Sequence, residues 1–152
     1  MRPASHPAPT LVRILNTPSK RERARVLVAD DFPPFLERIV NILSREFSVV
    51  GAVTSGAALV DAATSLQPDV VVADIYMPVM NGLEAAALIR RGGSQVPIVF
   101  MTAHHEQELI EAVRVAGALG YVAKLHLAHD LVPAIRAALE GQRFVSASIS
   151  MS

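Results

Sequence analysis

Two alternating patterns between residues 25 and 143 constrain the fold more than any other feature of the sequence. Short apolar runs rich in valine and isoleucine lie at residues 26–29, 49–53, 70–73, 98–101 and 120–123. Between and after them lie five longer stretches in which apolar residues recur at helical spacing. Continuous apolar runs indicate strands that are covered on both faces, and the longer stretches can form crossover helices. We therefore predict an α/β fold, a (βα)5 doubly wound sheet of five parallel strands.

The helical stretches carry their own boundary signals. Asn81 is a good N-cap for the third helix, and Gly117 and Gly141 are expected to end the fourth and fifth helices. The apolar residues of the fifth helix that are expected to face the core together are Leu127, Leu131, Ile135 and Leu139.

The distribution of charge divides the chain into a leader, a domain and a tail. Residues 1–25 carry six basic side chains and one acidic side chain, a net charge of +5, so residues 26–152 of this neutral chain carry −5. Residues 1–24 form a basic, proline-containing leader, which we expect to be disordered. The alternative is a basic arm that touches nucleic acid or a membrane surface. Residues 25–143 form the domain, and residues 144–152 form a tail or the start of a linker.

Composition excludes several classes of protein. A chain of 152 residues with 51% hydrophobic side chains is long and apolar enough to bury a core. No uncharged apolar run is long enough to span a membrane, and the N-terminus lacks the apolar region of a secretory signal. The absence of cysteine excludes disulfides, thiolate catalysis and cysteine-ligated zinc. These features suit a cytoplasmic protein that does not act at a membrane.

Polar residues follow four of the five apolar runs. The first run ends at Asp30 and Asp31, the third at Asp74, the fourth at Thr102 and the fifth at Lys124. If these four strands are neighbours, the side chains converge, because the crevice of an open parallel sheet lies beyond the carboxyl ends of its strands. Three carboxylates and one ammonium leave a charge of −2, which favours a hard divalent cation, Mg²⁺ before Ca²⁺. A carboxylate, a hydroxyl, an ammonium and Mg²⁺ are the groups needed for phosphoryl transfer, with Asp74 as nucleophile.

Four segments between residues 25 and 143 combine an apolar strand end with the polar residues named above. In order along the chain they are residues 26–31, VLVADD, residues 74–82, DIYMPVMNG, residues 100–103, FMTA, and residues 117–124, GALGYVAK. Together they resemble the response-regulator receiver domains of two-component signalling systems. By this resemblance they are the first strand with its acidic pair, the phosphoacceptor motif, the strand that carries the switch hydroxyl, and the fifth strand with its lysine. The resemblance implies a flavodoxin-like sheet of strand order 2-1-3-4-5.

The resemblance also implies roles for the residues at the strand ends. Asp74 would accept a phosphoryl group from the phosphohistidine of a sensor histidine kinase or a phosphotransfer protein. Asp31, Asp74 and the backbone carbonyl of Tyr76 would coordinate Mg²⁺, and Asp30 would act mainly through bound water. Lys124 would pair with a phosphoryl oxygen.

The resemblance further implies a conformational output. The hydroxyl of Thr102 would move towards the phosphoryl group, and Tyr121 would turn inward as the switch aromatic. The face built from the fourth helix, fifth strand and fifth helix would shift and control a partner or an output domain. Such domains catalyse their own phosphorylation and slow dephosphorylation, yet they serve as switches rather than metabolic enzymes. The apolar exposed faces of the last helices are compatible with a homodimer through them or through this face, but monomers are common in the family, so the oligomeric state stays open.

Two features of the chain indicate which branch of the receiver family it resembles. Leu125 stands where many receivers place a proline, and residues 139–146, LEGQRFVS, resemble the lead into a linker. Both features resemble receivers that precede a LuxR-type helix-turn-helix domain. The chain, which ends at Ser152, is then either a stand-alone receiver or a receiver fragment that reaches nucleic acid through an absent output domain. We also hypothesise that the Tyr76 ring and His104 imidazole control water access and so the lifetime of the acyl phosphate.

Other functions remain open on the sequence alone. A phosphorylation-independent interaction module could keep the same residues by descent. A same-fold aspartate-nucleophile phosphatase usually has an Asp-x-Asp pair after its first strand, whereas Asp30 and Asp31 are adjacent. His126 and His129 lie three residues apart near a helix start, but two ligands without a third make a weak metal site.

Overall fold

A computed structural model describes residues 23–103 and 107–150 of the chain. The strands are β1 Arg25–Ala29, β2 Ser48–Val53, β3 Val70–Asp74, β4 Ile98–Thr102, β5 Gly120–Ala123 and β6 Phe144–Val145. The helices are α1 Pro33–Leu43, α2 Gly56–Leu66, α3 Gly82–Arg91, α4 Gln107–Val115, α5 Leu127–Leu139 and α6 Ala147–Ser150, with a 3₁₀ turn at Lys124–His126. The leader up to residue 22, His104 and His105 lie outside the described residues.

The six strands form one parallel sheet in the order β2-β1-β3-β4-β5-β6. The predicted doubly wound α/β fold and the order 2-1-3-4-5 are confirmed, but the predicted number of strands is one too few. Phe144 pairs with Gly120, and Val145 pairs with Tyr121, so residues assigned to a tail extend the sheet beyond β5. Their pairing covers the outer edge of β5, which would otherwise expose a row of unpaired backbone groups. Two residues are too few to show strand periodicity in a sequence.

The sheet separates two hydrophobic cores. Side chains alternate between the faces of each strand. Leu27, Val71 and Phe100 point to the core covered by α2, α3 and α4. Val28 and Val72 point to the core covered by α1 and α5. Both faces of the sheet are therefore buried, as the continuous apolar runs predict.

The helix ends follow the sequence signals, whereas one predicted core position is wrong. Asn81 caps α3 in a capping box with Glu84, since each side chain accepts from the backbone N–H of the other residue. Leu139, predicted to face the core, is 37% exposed. Positions spaced by four residues turn by about 40° per step on a helix of 3.6 residues per turn, so Leu139 has rotated away from the core. Ala138 occupies the buried position instead.

The C-terminal edge of the sheet collects the loops that follow β1, β3, β4 and β5. β1 pairs with β3, β3 pairs with β4, and β4 pairs with β5, all in parallel. The carboxyl ends of these strands are therefore neighbours, and the polar residues that follow them lie along one edge. Within the described ranges, no helix combines the length and the apolar character that a membrane crossing requires.

Candidate functional site

The turn after β1 carries two carboxylates in different environments. The backbone N–H of Asp30 donates to Val53 at the end of β2 (3.1 Å), and its Oδ1 accepts from the N–H of Phe32 (2.9 Å). This local bond forms a turn that leads directly into α1, which begins at Pro33. Asp30 is fully buried, whereas Asp31 is exposed. The adjacent acids therefore offer one fixed and one solvated carboxylate.

Asp74 is the last residue of β3 and is 4% exposed. Its Oδ1 accepts from the N–H of Tyr76 (3.1 Å), and the N–H of Gly82 donates to the carbonyl of Ile75 (2.8 Å). A Cβ at position 82 would overlap the carbonyl oxygen of Asp74, so only glycine lets α3 begin this close to β3. The Tyr76 N–H thus holds one oxygen of the Asp74 carboxylate, and the Gly82 N–H fixes the loop that follows it.

Lys124 joins the two buried carboxylates. Its Nζ donates to Asp30 Oδ2 at 2.7 Å and to Asp74 Oδ2 at 3.0 Å. Lys124 follows β5 and Asp30 follows β1, and β3 and β4 lie between these two strands in the sheet. The lysine side chain therefore reaches across the carboxyl ends of β4 and β3 to Asp30. Its side chain is 16% exposed, so both ion pairs are shielded from solvent.

The electrostatics of the site follow from burial and from these pairs. Burial raises the pKa of Asp74, Lys124 opposes this rise, and the neighbouring charge of Asp30 adds to it. Burial alone would lower the pKa of Lys124, but its bonds to Asp30 and the charge of Asp74 outweigh this effect and raise it. Lys124 therefore keeps its positive charge, and any further positive charge beside Asp74 would favour the ionised form of that carboxyl.

The donor set at this edge fits a hard divalent cation. Asp30, Asp31 and Asp74 each present a carboxylate oxygen, and these oxygens lie within 4.8 Å of one another. All three donors are oxygen atoms, which Mg²⁺ prefers. Lys124 offsets only one of the three negative charges, so a charge of −2 remains for a cation to balance. The residues present therefore fit Mg²⁺.

Thr102 and Tyr121 occupy one face of neighbouring strands. Thr102 ends β4 and pairs with Ala123, and Phe100 pairs with Tyr121. Because side chains alternate along a strand, Thr102 and Tyr121 point to the same side, towards the core under α2, α3 and α4. Thr102 is buried, and the Tyr121 ring is 1% exposed and already faces inward.

The loop after Asp74 exposes apolar side chains beside the acids. Tyr76 is partly exposed and Val79 is fully exposed. Val79 has a φ of 69°, and the N–H of Met80 donates to the carbonyl of Pro78 (2.8 Å), which closes a γ-turn around Val79. A positive φ is strained for a β-branched residue. The sequence pattern contains no signal for this strain.

Three residues near the site were not recognised from the sequence. The centroid of the Phe35 ring, in the first turn of α1, lies 4.5 Å from Lys124 Nζ, so the ammonium contacts the face of the ring. Asp130 and Ser146 form a buried hydrogen bond beside the end of β5. Asp130, an acidic residue in the first turn of α5, is a sequence signal for a hydrogen-bonded carboxylate. Its partner Ser146 lies 16 residues later, beyond the turn at Gly141, so the sequence does not indicate which residue it bonds.

Comparison with known proteins agrees with the fold. A family model described as the response regulator receiver domain matches residues 26–136. The chain is 32% identical over 135 residues to the nitrate/nitrite response regulator protein NarL of Escherichia coli K12. This match covers 87% of the chain and 62% of NarL, so the chain spans less than two thirds of that relative.

Two solved structures share the architecture. A LuxR-family two-component response regulator from Aurantimonas sp. SI85-9A1 is 30% identical, with a TM-score of 0.81 over 86% of this chain and 94% of that one. The isolated receiver domain of RcsB from Salmonella enterica serovar Typhimurium, solved with the phosphomimetic BeF₃⁻, is 27% identical. Its TM-score is 0.78, over 86% of this chain and 98% of that one. These relatives confirm the resemblance to receivers of the LuxR-type branch.

Proposed function

The chain belongs to the response-regulator receiver domain family, and from this premise we propose that it is a phosphorylation-activated switch in which Asp74 accepts the phosphoryl group. The donor is the phosphohistidine of a sensor histidine kinase or a phosphotransfer protein. One observation carries the proposal: the buried Asp74 carboxylate lies within hydrogen-bond distance of Lys124 and within 4.8 Å of two further carboxylates. A buried acid in this setting is typical of a functional site.

The transfer step needs a nucleophile and a means to stabilise charge. A carboxylate oxygen of Asp74 attacks the phosphorus, and an O–P bond forms while the P–N bond of phosphohistidine breaks. The electron pair of that bond stays on the imidazole nitrogen, which takes up a proton from water. Lys124 exchanges a carboxylate partner for a phosphoryl oxygen, so its ammonium stays paired throughout. The product is an acyl phosphate.

Mg²⁺ would be held by Asp30, Asp31, Asp74 and the backbone carbonyl of Tyr76. When bound, it supplies the positive charge that the phosphoryl oxygens need. Asp30 accepts hydrogen bonds at both oxygens, from Phe32 at Oδ1 and from Lys124 at Oδ2, so we assign it an indirect role through bound water. Asp31 is exposed and can turn towards an incoming cation.

The output step uses the face next to the site. Thr102 and Tyr121 share one side of β4 and β5, so movement of the Thr102 hydroxyl towards the phosphoryl group would change the space around the Tyr121 ring. The response is a population shift of the surface formed by α4, β5 and α5. Val115 and Leu139 are exposed near this surface and support a homodimer through it.

A second candidate concerns the whole protein. The chain covers 62% of NarL, and one solved neighbour is a LuxR-family regulator, so we propose a receiver that controls a LuxR-type DNA-binding output domain. This domain would belong to the same polypeptide if the chain is a fragment. The size of the endogenous protein on an immunoblot distinguishes a fragment from a stand-alone receiver.

The test is phosphorylation by a small donor. The purified chain is incubated with acetyl phosphate and Mg²⁺, and its intact mass is measured. We expect a Mg²⁺-dependent gain of one phosphoryl group that Asp74→Asn loses. Asp69→Asn is the matched control, because Asp69 precedes β3 at the opposite end of the same strand. Turnover of a phosphate ester would instead indicate a phosphatase, and no mass gain in the wild type would indicate a phosphorylation-independent module.

A further inference from the structure

The segment that follows α5 is packed against β5, the strand that directly precedes Lys124. After the turn at Gly141, which has a φ of 75°, β6 runs beside β5. The N–H of Ser146 then donates to the carbonyl of Tyr121 (3.0 Å), which continues the ladder by one residue. This segment lies beyond residues 26–136, the part of the chain that the family model matches.

Ser146 is fully buried, and its hydroxyl is bonded on two sides. Its Oγ accepts from the N–H of Ala123 at 3.0 Å and donates to Asp130 Oδ2 at 2.6 Å. Burial would raise the pKa of Asp130, but the bonds from Ser146 and His129 outweigh burial and lower it. Asp130 is therefore an ionised acceptor, and its short bond to Ser146 is the stronger, charge-assisted kind.

The backbone N–H that Ser146 holds is next to the functional lysine. Ala123 is the last residue of β5, and Lys124 begins the 3₁₀ turn that follows. On its other side β5 is paired with β4, where Ala123 lies opposite Thr102. Without the Ser146 hydroxyl, the N–H of Ala123 would lose its hydrogen-bond partner on the β6 side. The root of the Lys124 side chain is thus fixed between the β4 strand end and the hydroxyl of Ser146.

We propose that Ser146, oriented by Asp130, is a positioning residue that sets the place of Lys124 in the phosphoryl site. This inference rests on the proposed function. The Ser146 bond fixes the backbone from which the Lys124 ammonium reaches the phosphoryl oxygen. The carboxylates that would bind Mg²⁺ follow β1 and end β3, so their backbone positions do not depend on this bond. Loss of the Ser146 hydroxyl should therefore weaken binding of the phosphoryl group and spare binding of the cation.

The test compares two ligands on the full chain by NMR. Mg²⁺ is titrated alone, and beryllofluoride is then titrated at saturating Mg²⁺, with the amide resonances at the strand ends as reporters. For Ser146→Ala we expect beryllofluoride affinity to fall about fivefold to tenfold, with Mg²⁺ affinity within about twofold of wild type. Ser94→Ala is the matched control, because Ser94 Oγ also accepts a backbone N–H, from Val96 at 3.2 Å, at the opposite end of the sheet. It should change neither affinity.

Asp130→Asn is the second variant and carries the test if Ser146→Ala does not fold. Asparagine keeps a hydrogen-bond acceptor of the same shape but without the charge. We therefore expect Asp130→Asn to lower the beryllofluoride affinity by less than Ser146→Ala does. An unchanged beryllofluoride affinity in a folded Ser146→Ala variant, or an equal loss for both ligands, overturns the inference. If wild type itself does not bind beryllofluoride, the proposed function fails, which is a different result.

Discussion

Replacing Lys124 by methionine removes the positive charge that bridges the two buried carboxylates, Asp30 and Asp74, while keeping a side chain of similar length. In the native site the ammonium lies 2.7 Å from Asp30 Oδ2 and 3.0 Å from Asp74 Oδ2. At about 3 Å and an effective dielectric constant of about 20, each contact has a Coulomb energy of about 5 kcal/mol, most of which offsets the desolvation of the charges. Breaking a buried pair by removing one partner costs about 3–5 kcal/mol. We therefore expect Lys124→Met to lower the free energy of unfolding by about 3 kcal/mol or more in EDTA.

The same variant should respond more strongly to Mg²⁺. Without the ammonium, the three carboxylates carry −3 rather than −2, so a divalent cation compensates a larger charge. A ligand at about 100 times its dissociation constant stabilises the native state by about 2.7 kcal/mol, and tighter binding raises this gain. Urea unfolding followed by circular dichroism, with EDTA or with Mg²⁺, measures both effects.

The control removes a salt bridge that is exposed. Arg114 and Glu111 lie 2.6 Å apart, but their side chains are 56% and 61% exposed. Arg114→Met should cost at most about 1 kcal/mol and should not respond to Mg²⁺. A loss for Lys124→Met as small as that of the control, or an equal gain from Mg²⁺ in variant and wild type, would refute the reasoning.

Three further predictions concern stability. Val79→Gly removes the strain of a β-branched residue at φ 69° and should raise the midpoint of urea unfolding, by a net stabilisation of about 0.5–1 kcal/mol; a lower midpoint would contradict the assigned strain. Gly82→Ala places a Cβ against the Asp74 carbonyl and should destabilise the chain by more than about 2 kcal/mol in the same assay, whereas an effect below 1 kcal/mol would show that the loop can shift. The lowered pKa of Asp130 stabilises the fold above the ordinary value of 3.8, and this contribution is lost as pH falls through the lower folded value. Acid unfolding curves of wild type and Asp130→Asn should therefore converge at low pH, and a constant difference would exclude this linkage.

The fold could be predicted because both faces of the sheet are buried. Val70, Val71 and Val72 are all fully buried, so the sequence shows an unbroken apolar run that few structures other than a covered parallel strand would produce. β6 could not be predicted in this way, because Phe144 and Val145 are only two residues and gain their strand conformation from the edge of β5. The wrong prediction for Leu139 has a similar cause. Residues spaced by four show that a segment is helical, but each successive one lies about 40° further around the helix axis, so the last of them no longer faces the core.

The sequence predicts which charged and polar residues lie together at the candidate site, but it does not predict which of them contact each other. Four strand ends carrying acids, a hydroxyl and a lysine require only that the strands be neighbours, which a parallel sheet provides. The bridge from Lys124 to both Asp30 and Asp74 depends on the reach of one side chain across two strands, which no sequence pattern encodes. The contact of Phe35 with that ammonium is equally invisible, because an aromatic residue on a helix is usually assigned to the core.

The most direct test of the account is to identify the residue that carries the phosphoryl group. The chain is phosphorylated with acetyl phosphate and Mg²⁺, the acyl phosphate is reduced with borohydride, and peptides are sequenced by mass spectrometry. Reduction converts a phosphorylated aspartate to homoserine, so we expect homoserine at position 74, and only when Mg²⁺ is present. Homoserine at Asp30 or Asp31, or a phosphoryl group retained on another side chain while Asp74 stays unmodified, would contradict it.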